Sequence, residues 1–374
     1  MNLGVEMIKI LWFSANSAGD MCFTSQRELA LGLMKKGYSV QFINKDGVNS
    51  HSGYDWGHVS VEYTDIAGFK ASSLGKNMAK WLSKQTISDD TVAVVDWRLI
   101  AKLHSQLTNK KLPWILLDRS PPADRGILAR LQWPVWRKAW KLVNKSSNSC
   151  GTVVSSGHQK FTMDKNQISS NKLFQIPACV DLEKFSPGES TGQLGLIYHG
   201  RLDKHRGVLA LPMLVRKAIT SGLDISLKLI GDGDCFSDLQ KIAADIDEIT
   251  VFPTMSTEEV ANHLKESTVG ILPMPEIDMW AISSPLKRSE YCASGLLIFG
   301  IDHNGHRFDG NQKPWMRLVP QYDFHDEGVK WLSQLNQNEI SELSKQSRQY
   351  AEENLSWDGS VNSLISAIQF ANES

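Results

Sequence analysis

From residue 194 to residue 299 the chain alternates short apolar runs with longer amphipathic stretches. Strands are expected at 194–198, 225–230, 249–252, 268–272 and 296–299, and helices at 207–220, 235–245, 256–265 and 285–294. Short, mostly apolar runs of four to six residues, of which only 225–230 (ISLKLI) alternates with polar positions, suit strands buried on both faces. A parallel sheet provides that burial, because the helices that connect its strands cover both sides. The rhythm is looser in the first half. Strands are expected at 8–14, 38–43, 91–96, 113–118 and 151–155, a helix at 25–36 closed by Gly37, and a helix at 126–145 interrupted or started at Pro134. Pro177 and Pro187 mark a crossover at 176–190, and helices at 339–353 and from about Asp358 close the chain. The expected fold class is α/β, with two Rossmann-like domains whose sites lie at the carboxyl ends of the strands.

The length of 374 residues suits two domains, each burying its own core. No apolar run reaches the roughly 18 residues that a membrane-spanning helix needs. Residues 1–15 lack a basic head and a small-residue cleavage site, so no secretory leader is expected. Cys22, Cys150, Cys179, Cys235 and Cys292 are scattered without a CxxC pair. That pattern argues against zinc or a disulfide framework and points to a reducing cytoplasm. The net charge of −1 conceals an asymmetry: up to Phe185 there are 24 Lys+Arg against 15 Asp+Glu, and beyond it 16 against 26. A basic first half suits an anionic partner, or it simply complements the acidic second half.

The chemistry concentrates in two stretches. LGLIYHGRLDKHRG (194–207) is a strand that runs into Gly200 and then places Arg201 and Arg206 before Gly207. Glycines after a strand let backbone approach a phosphate closely, and two guanidiniums grip a pyrophosphate with forked, charge-assisted hydrogen bonds. SSPLKRSEYCASG (283–295) enters a helix through Pro285, Leu286 and Lys287, with Glu290 one and a half turns in. A helix N-terminus offers N–H groups to an anion, and a carboxylate there can take the hydroxyls of a ribose. Together they describe a pocket for a nucleoside diphosphate.

These stretches, with IPACVDLEKFSP (176–187), LKLIGDGD (227–234) and LSWDGSV (355–361), resemble the retaining glycosyltransferases of family 4. The resemblance covers about residues 175–374. It is loose over 8–43 and almost absent over 44–174. It implies the GT-B fold: two Rossmann-like domains facing a central cleft, with an acceptor-binding domain at 1–178, a nucleotide-sugar domain at 179–355 and a terminal helix at 356–374 crossing back to the first. It also implies transfer with retention on one face of the sugar, the leaving phosphate helping to deprotonate the acceptor. No metal is implied, since no DxD-type triad is present and the arginines can do a metal's electrostatic work.

Carried over residue by residue, Gly200, Arg201 and Arg206 would bind phosphates, with Arg206 where a lysine is usual. Asp232 and Phe252 would rim the base pocket, with Pro253 where glycine is usual. Glu290 would hold the ribose. Eight residues before it stands Ile282 instead of the family's first carboxylate, so the sugar would be met by Glu276, Asp278 or backbone around Ser283, Ser284 and Pro285. Gly19, between the first strand and first helix, would approach the donor or acceptor. Asp118 takes the approximate place of the family's histidine, so Asp118 or Asp124 could orient an acceptor hydroxyl, with Arg119 or Arg125 near its phosphate.

Trp133, Trp136, Trp140 and Val143 share one helical face, with Arg130, Arg137, Lys138, Lys141 and Lys145 around them. An acid-free helix of this kind suits either a bilayer interface or a core with a basic outer face. The sequence-based expectation is a cytoplasmic transferase, peripheral on an anionic membrane through 126–145. It would take a UDP- or GDP-sugar and a sugar or lipid-linked acceptor, and no nucleic acid. The alternatives are a catalytically impaired binding or scaffold protein of the same fold and, less favoured, an epimerase or phosphorylase. Donor base, sugar and acceptor are not identified by the sequence.

Overall fold

The computed structural model describes residues 7–20, 23–122, 130–188 and 194–373. They form two compact units, one of residues 1–177 with 357–374 and one of residues 178–356.

The first unit is built on a parallel sheet of seven strands: β1 (Lys9–Phe13), β2 (Ser39–Asn44), β3 (Gly57–Ser60), β4 (Thr91–Asp96), β5 (Trp114–Leu117), β6 (Ser149–Val153) and β7 (Leu173–Gln175). Their order is β3-β2-β1-β4-β5-β6-β7. Successive strand residues point to opposite faces, and both faces are apolar. Leu11 and Phe13 join one core with side chains from the helices Lys70–Ser83, Ile100–Asn109 and Gln132–Lys145, against which Phe161 and Met163 of Ser156–Asn166 pack. Ile10 and Trp12 join the other, with Thr24–Lys35 and the terminal helix Trp357–Glu373. Gly32 costs its helix about 1 kcal/mol relative to alanine. In return it lets the terminal helix approach, because a Cβ there would collide with Val361.

The second unit has six parallel strands: β8 (Leu194–His199), β9 (Ile225–Ile230), β10 (Ile249–Phe252), β11 (Val269–Leu272), β12 (Leu297–Ile301) and β13 (Met316–Val319). Their order is β10-β9-β8-β11-β12-β13. The chain therefore leaves β8 in one direction along the sheet and β11 in the other. Such a reversal opens a crevice at the carboxyl ends of the two strands.

Several expected elements shift for local reasons. The strand expected at 151–155 ends at Val153, because Ser155 caps the following helix by accepting from the His158 N–H at 3.0 Å. The helix expected from 207 begins at Leu211, after two short 3-10 turns separated by Gly207 at φ +77°. Of the expected helix 126–145, residues 126–129 lie outside the described residues, and the helix Gln132–Lys145 carries Pro134 in its first turn, where the ring costs little. Helices 70–83, 100–109, 156–166 and 324–334 and strands β3, β7 and β13 have no counterpart in the sequence reading.

The tryptophan face of helix 132–145 is core. Trp136, Trp140 and Val143 are fully buried, and half-buried Trp133 meets Phe161 and Trp136 edge-on. This corrects the expectation that these tryptophans meet a bilayer. The same amphipathic pattern serves a sheet-facing helix, and here the sheet takes it. Among the described residues no helix is long and apolar enough to cross a membrane.

Candidate active site

The β8–β11 crevice gathers most of the expected donor residues. β8 ends in Tyr198 and His199, and the chain then turns through Gly200 at φ +116°. Its neighbour β9 runs into Gly231, φ +145°, where any Cβ would collide with the Gly200 carbonyl. Only glycine suits both positions. The two turns are laced together by Gly200 N–H to Ile230 O and Leu202 N–H to Asp232 O, each 2.9 Å.

Arg201 and Arg206 converge on one carboxylate that the sequence reading passed over, Asp203. Arg201 donates to it from Nη2 at 2.8 Å and from Nε at 3.1 Å, and Arg206 Nε lies 3.6 Å away. The arginine pair beside Asp203 contributes to holding its carboxyl below the usual range against the opposing effect of burial. Its signal was present as the one acid between two arginines. Arg201 is thus committed to a bidentate partner. Arg206 is less so: its guanidinium stacks 4.7 Å from the Trp280 ring, and its buried Nε has no hydrogen-bond partner among the described residues. Trp280, on the short helix Asp278–Ala281 after β11, is the second residue the sequence reading missed.

Lys287 forms the floor. It lies in the first turn of the helix Leu286–Ala293 and is 9 % exposed; its Nζ sits 3.9 Å from the Tyr198 ring centroid. The ammonium has no hydrogen-bond partner among the described residues. Burial, with Arg206 nearby, holds its pKa well below the ordinary lysine value. A Cβ at residue 200 would stand 3.1 Å from this nitrogen, so Gly200 leaves Lys287 facing the turn. An ammonium this buried and unpaired is costly unless an anion meets it.

Glu290, on the same helix, has its Oε2 3.2 Å from Nε2 of His199, both side chains being 12 % exposed. His199 was not singled out from sequence. Burial raises the Glu290 carboxyl to about 7, with Lys287 opposing, while burial and then Lys287 hold His199 neutral, with a pKa of about 3. A carboxyl raised above its unfolded value is stabilising in its protonated form and loses that contribution as pH rises through about 7. Ribose hydroxyls donate to the ionised form. Nucleoside diphosphate affinity is therefore expected to rise with pH through about 7 and to fall again as Lys287 loses its proton. Calorimetric titration across pH checks this; the rising limb should vanish in Glu290→Gln, and its survival there would remove Glu290 from the site.

Asp232 is exposed, its Oδ1 accepting from Gly233 N–H at 2.8 Å. Half-buried Phe252 packs against His263, ring centroids 4.8 Å apart, with Pro253 exposed beside it. Ser284 Oγ accepts from Ala178 N–H at 3.1 Å and so anchors the start of the unit, while Ser283 Oγ donates to Trp280 O. Pro285 is the N-cap residue of the helix, and half-buried Leu286 opens it. Glu276 and Asp278 are exposed.

In the first unit, Asp118 requires a correction. Its side chain is fully buried, with Oδ2 accepting from the indole N–H groups of Trp136 at 2.6 Å and Trp140 at 2.9 Å. A carboxylate enclosed by two tryptophans braces a core and does not meet an acceptor hydroxyl. Arg119 likewise ties backbone, donating to Ile176 O and to Ser25 Oγ. Asp124 and Arg125 lie outside the described residues. Gly19 is exposed in a loop with nothing within 4 Å of an added Cβ. At this sheet's own reversal, between β1 and β4, Arg98 donates to Asp96 Oδ2 at 2.6 Å and to Asn16 Oδ1 at 2.8 Å.

No protein-family model matches the chain, and no curated protein does. Solved structures do. A glycosyltransferase from Rickettsia africae is 14% identical over 99% of this chain and 100% of its own, with a TM-score of 0.76. Sucrose-phosphate synthase from Thermosynechococcus elongatus is 13% identical over 96% and 98%, at 0.74. Anabaena HepE, solved with UDP-glucose, is 8% identical over 96% and 99%, at 0.72. With two parallel sheets of seven and six strands and near-complete coverage by these proteins, the chain has the GT-B fold, two Rossmann-like domains in one polypeptide.

Proposed function

We propose that this chain is a retaining glycosyltransferase, of the family 4 type, that moves a sugar from a nucleoside diphosphate sugar to an acceptor hydroxyl. The observation that carries the reading is the unpaired Lys287 ammonium at the floor of the β8–β11 crevice, beside Arg206 and in the first turn of a helix. That combination suits a diphosphate. Glu290 beside it suits the ribose, and HepE, of the same fold, binds UDP-glucose. In this reading the C1–O bond to the diphosphate breaks while C1 bonds the acceptor oxygen on the same face. The acceptor proton passes to the leaving phosphate. Arg206, Lys287 and the helix N-terminus stabilise the departing charge. The acceptor, a sugar or a phosphorylated or lipid-linked one, would be met at the first sheet's reversal, between β1 and β4.

A second reading is favoured by Ile282, where the family's first carboxylate is missing: a protein that binds the donor without transferring its sugar. Incubation with UDP-, GDP- and ADP-glucose and candidate acceptors separates the two. Nucleoside diphosphate release with an α-glycoside product by NMR supports transfer. Binding without product supports the second reading, and no binding of any nucleotide overturns both. We expect turnover to persist in EDTA, since cationic side chains neutralise the diphosphate. Loss in EDTA restored by Mg²⁺ or Mn²⁺ would refute that expectation.

A further inference from the structure

The strand order β3-β2-β1-β4-β5-β6-β7 has a consequence for charge. After β3 the chain crosses the sheet to β4 and then steps outward, strand by strand, to β7. The four helices on this path, 70–83, 100–109, 132–145 and 156–166, pack side by side on one face. They carry ten Lys or Arg, three in the first, one in the second, four in the third and two in the fourth, against the single acid Asp164. Among the cations Lys76, Lys80, Arg137, Lys138, Lys141 and Lys145 are exposed. The helices of the opposite face, 24–35 and 357–373, carry Arg27 and Lys35 against Glu28, Asp358 and Glu373. The positive charge of the first unit is therefore one-sided.

Apolar side chains stand at one edge of that face. Ile66 is 56 % and Phe69 66 % exposed in the segment leading into helix 70–83, and Leu131, 62 % exposed, precedes helix 132–145. They make up three of the six large apolar side chains exposed among the described residues. Helices that follow parallel strands begin at the carboxyl ends of those strands, so the apolar side chains mark the functional edge of the sheet.

We propose that the four-helix face of the first unit docks on an anionic lipid bilayer, its lysines and arginines against the headgroups and Ile66, Phe69 and Leu131 in the interface. Point-charge cations spread over a broad helical face suit a charged plane. Exposed apolar side chains at its edge suit a surface with a hydrocarbon interior, which a soluble polyanion lacks. The proposal is independent of the transferase reading.

Co-sedimentation of the full chain with vesicles tests it, with circular dichroism to confirm the fold of each variant. Wild type should sediment with vesicles of phosphatidylcholine and phosphatidylglycerol at low salt, be released by high salt and ignore phosphatidylcholine alone. Lys76→Glu, Lys80→Glu, Lys138→Glu and Lys141→Glu combined should lower partitioning roughly tenfold or more. Ile66→Ser with Phe69→Ser should weaken binding while leaving it salt-sensitive. Failure of folded wild type to sediment would overturn the proposal. Undiminished binding by the charge-reversed variant would also overturn it. So would binding of heparin or duplex DNA, unaffected by the Ile66 and Phe69 changes, by a chain that ignores vesicles.

Discussion

Arg206→Ala is expected to lower nucleoside diphosphate affinity and sugar-transfer rate about 100-fold, with thermal unfolding nearly unchanged. Each charged hydrogen bond to a phosphate is worth roughly 1.5–3 kcal/mol, so a forked pair accounts for about two to four orders of magnitude, and about 100-fold is the low end of that range. Arg206 is favoured over Arg201 for this role. Arg201 is already held by both oxygens of Asp203, whereas Arg206 lies 3.6 Å from that carboxylate and is steadied by the Trp280 ring. Arg206→Lys should fall between, at about tenfold, since it keeps the charge and loses the fork and the stacked plane. Arg201→Ala should be the milder alanine change and should also release Asp203. Calorimetry with UDP or GDP beside a transfer assay measures all three. Wild-type affinity in a folded Arg206→Ala protein would dismiss the phosphate assignment at this crevice.

Trp140→Ala should destabilise the first unit by about 3–5 kcal/mol, the usual cost of removing a buried tryptophan. The ring is fully buried, and Gly151 on β6 makes the space it fills, since a Cβ there would collide with it. Its indole N–H is one of the two that bind the Asp118 carboxyl, so the substitution opens a cavity and also strips a buried polar group of a partner. Trp140→Phe keeps most of the volume and should cost less. Urea unfolding followed by circular dichroism gives the values. A loss under about 1 kcal/mol for Trp140→Ala would place the tryptophan outside the core.

The two parallel sheets were legible in the sequence because the signals that carry them are contiguous. Apolar runs of four to six residues mark strands buried on both faces, and Gly37 and Gly200 mark where an element must stop or turn. The cationic glycine turn after β8 and the helix bearing Lys287 and Glu290 were legible for the same reason: backbone geometry and residue type lie within a few positions of each other. The sequence by itself thus determined the layered α/β architecture and the chemistry available at the β8–β11 crevice.

What it left open depended on partners distant in the chain. The Trp136–Trp140 face has the same spacing whether it meets a sheet or a bilayer, and only the presence of β5 and β6 behind it settles the matter. Asp118 follows a strand as a site residue would, but its carboxylate is enclosed by indoles 18 and 22 positions away. His199 and Glu290 lie on different elements, and their contact needs the helix 286–293 packed against β11 and β12, beside the end of β8. The one-sided charge of the first unit follows from strand order, because the path from β3 back across to β7 sends four helices to a single face. Local sequence encodes backbone preference and polarity; burial, and the partner each polar group finds, are set by packing between segments far apart in the chain.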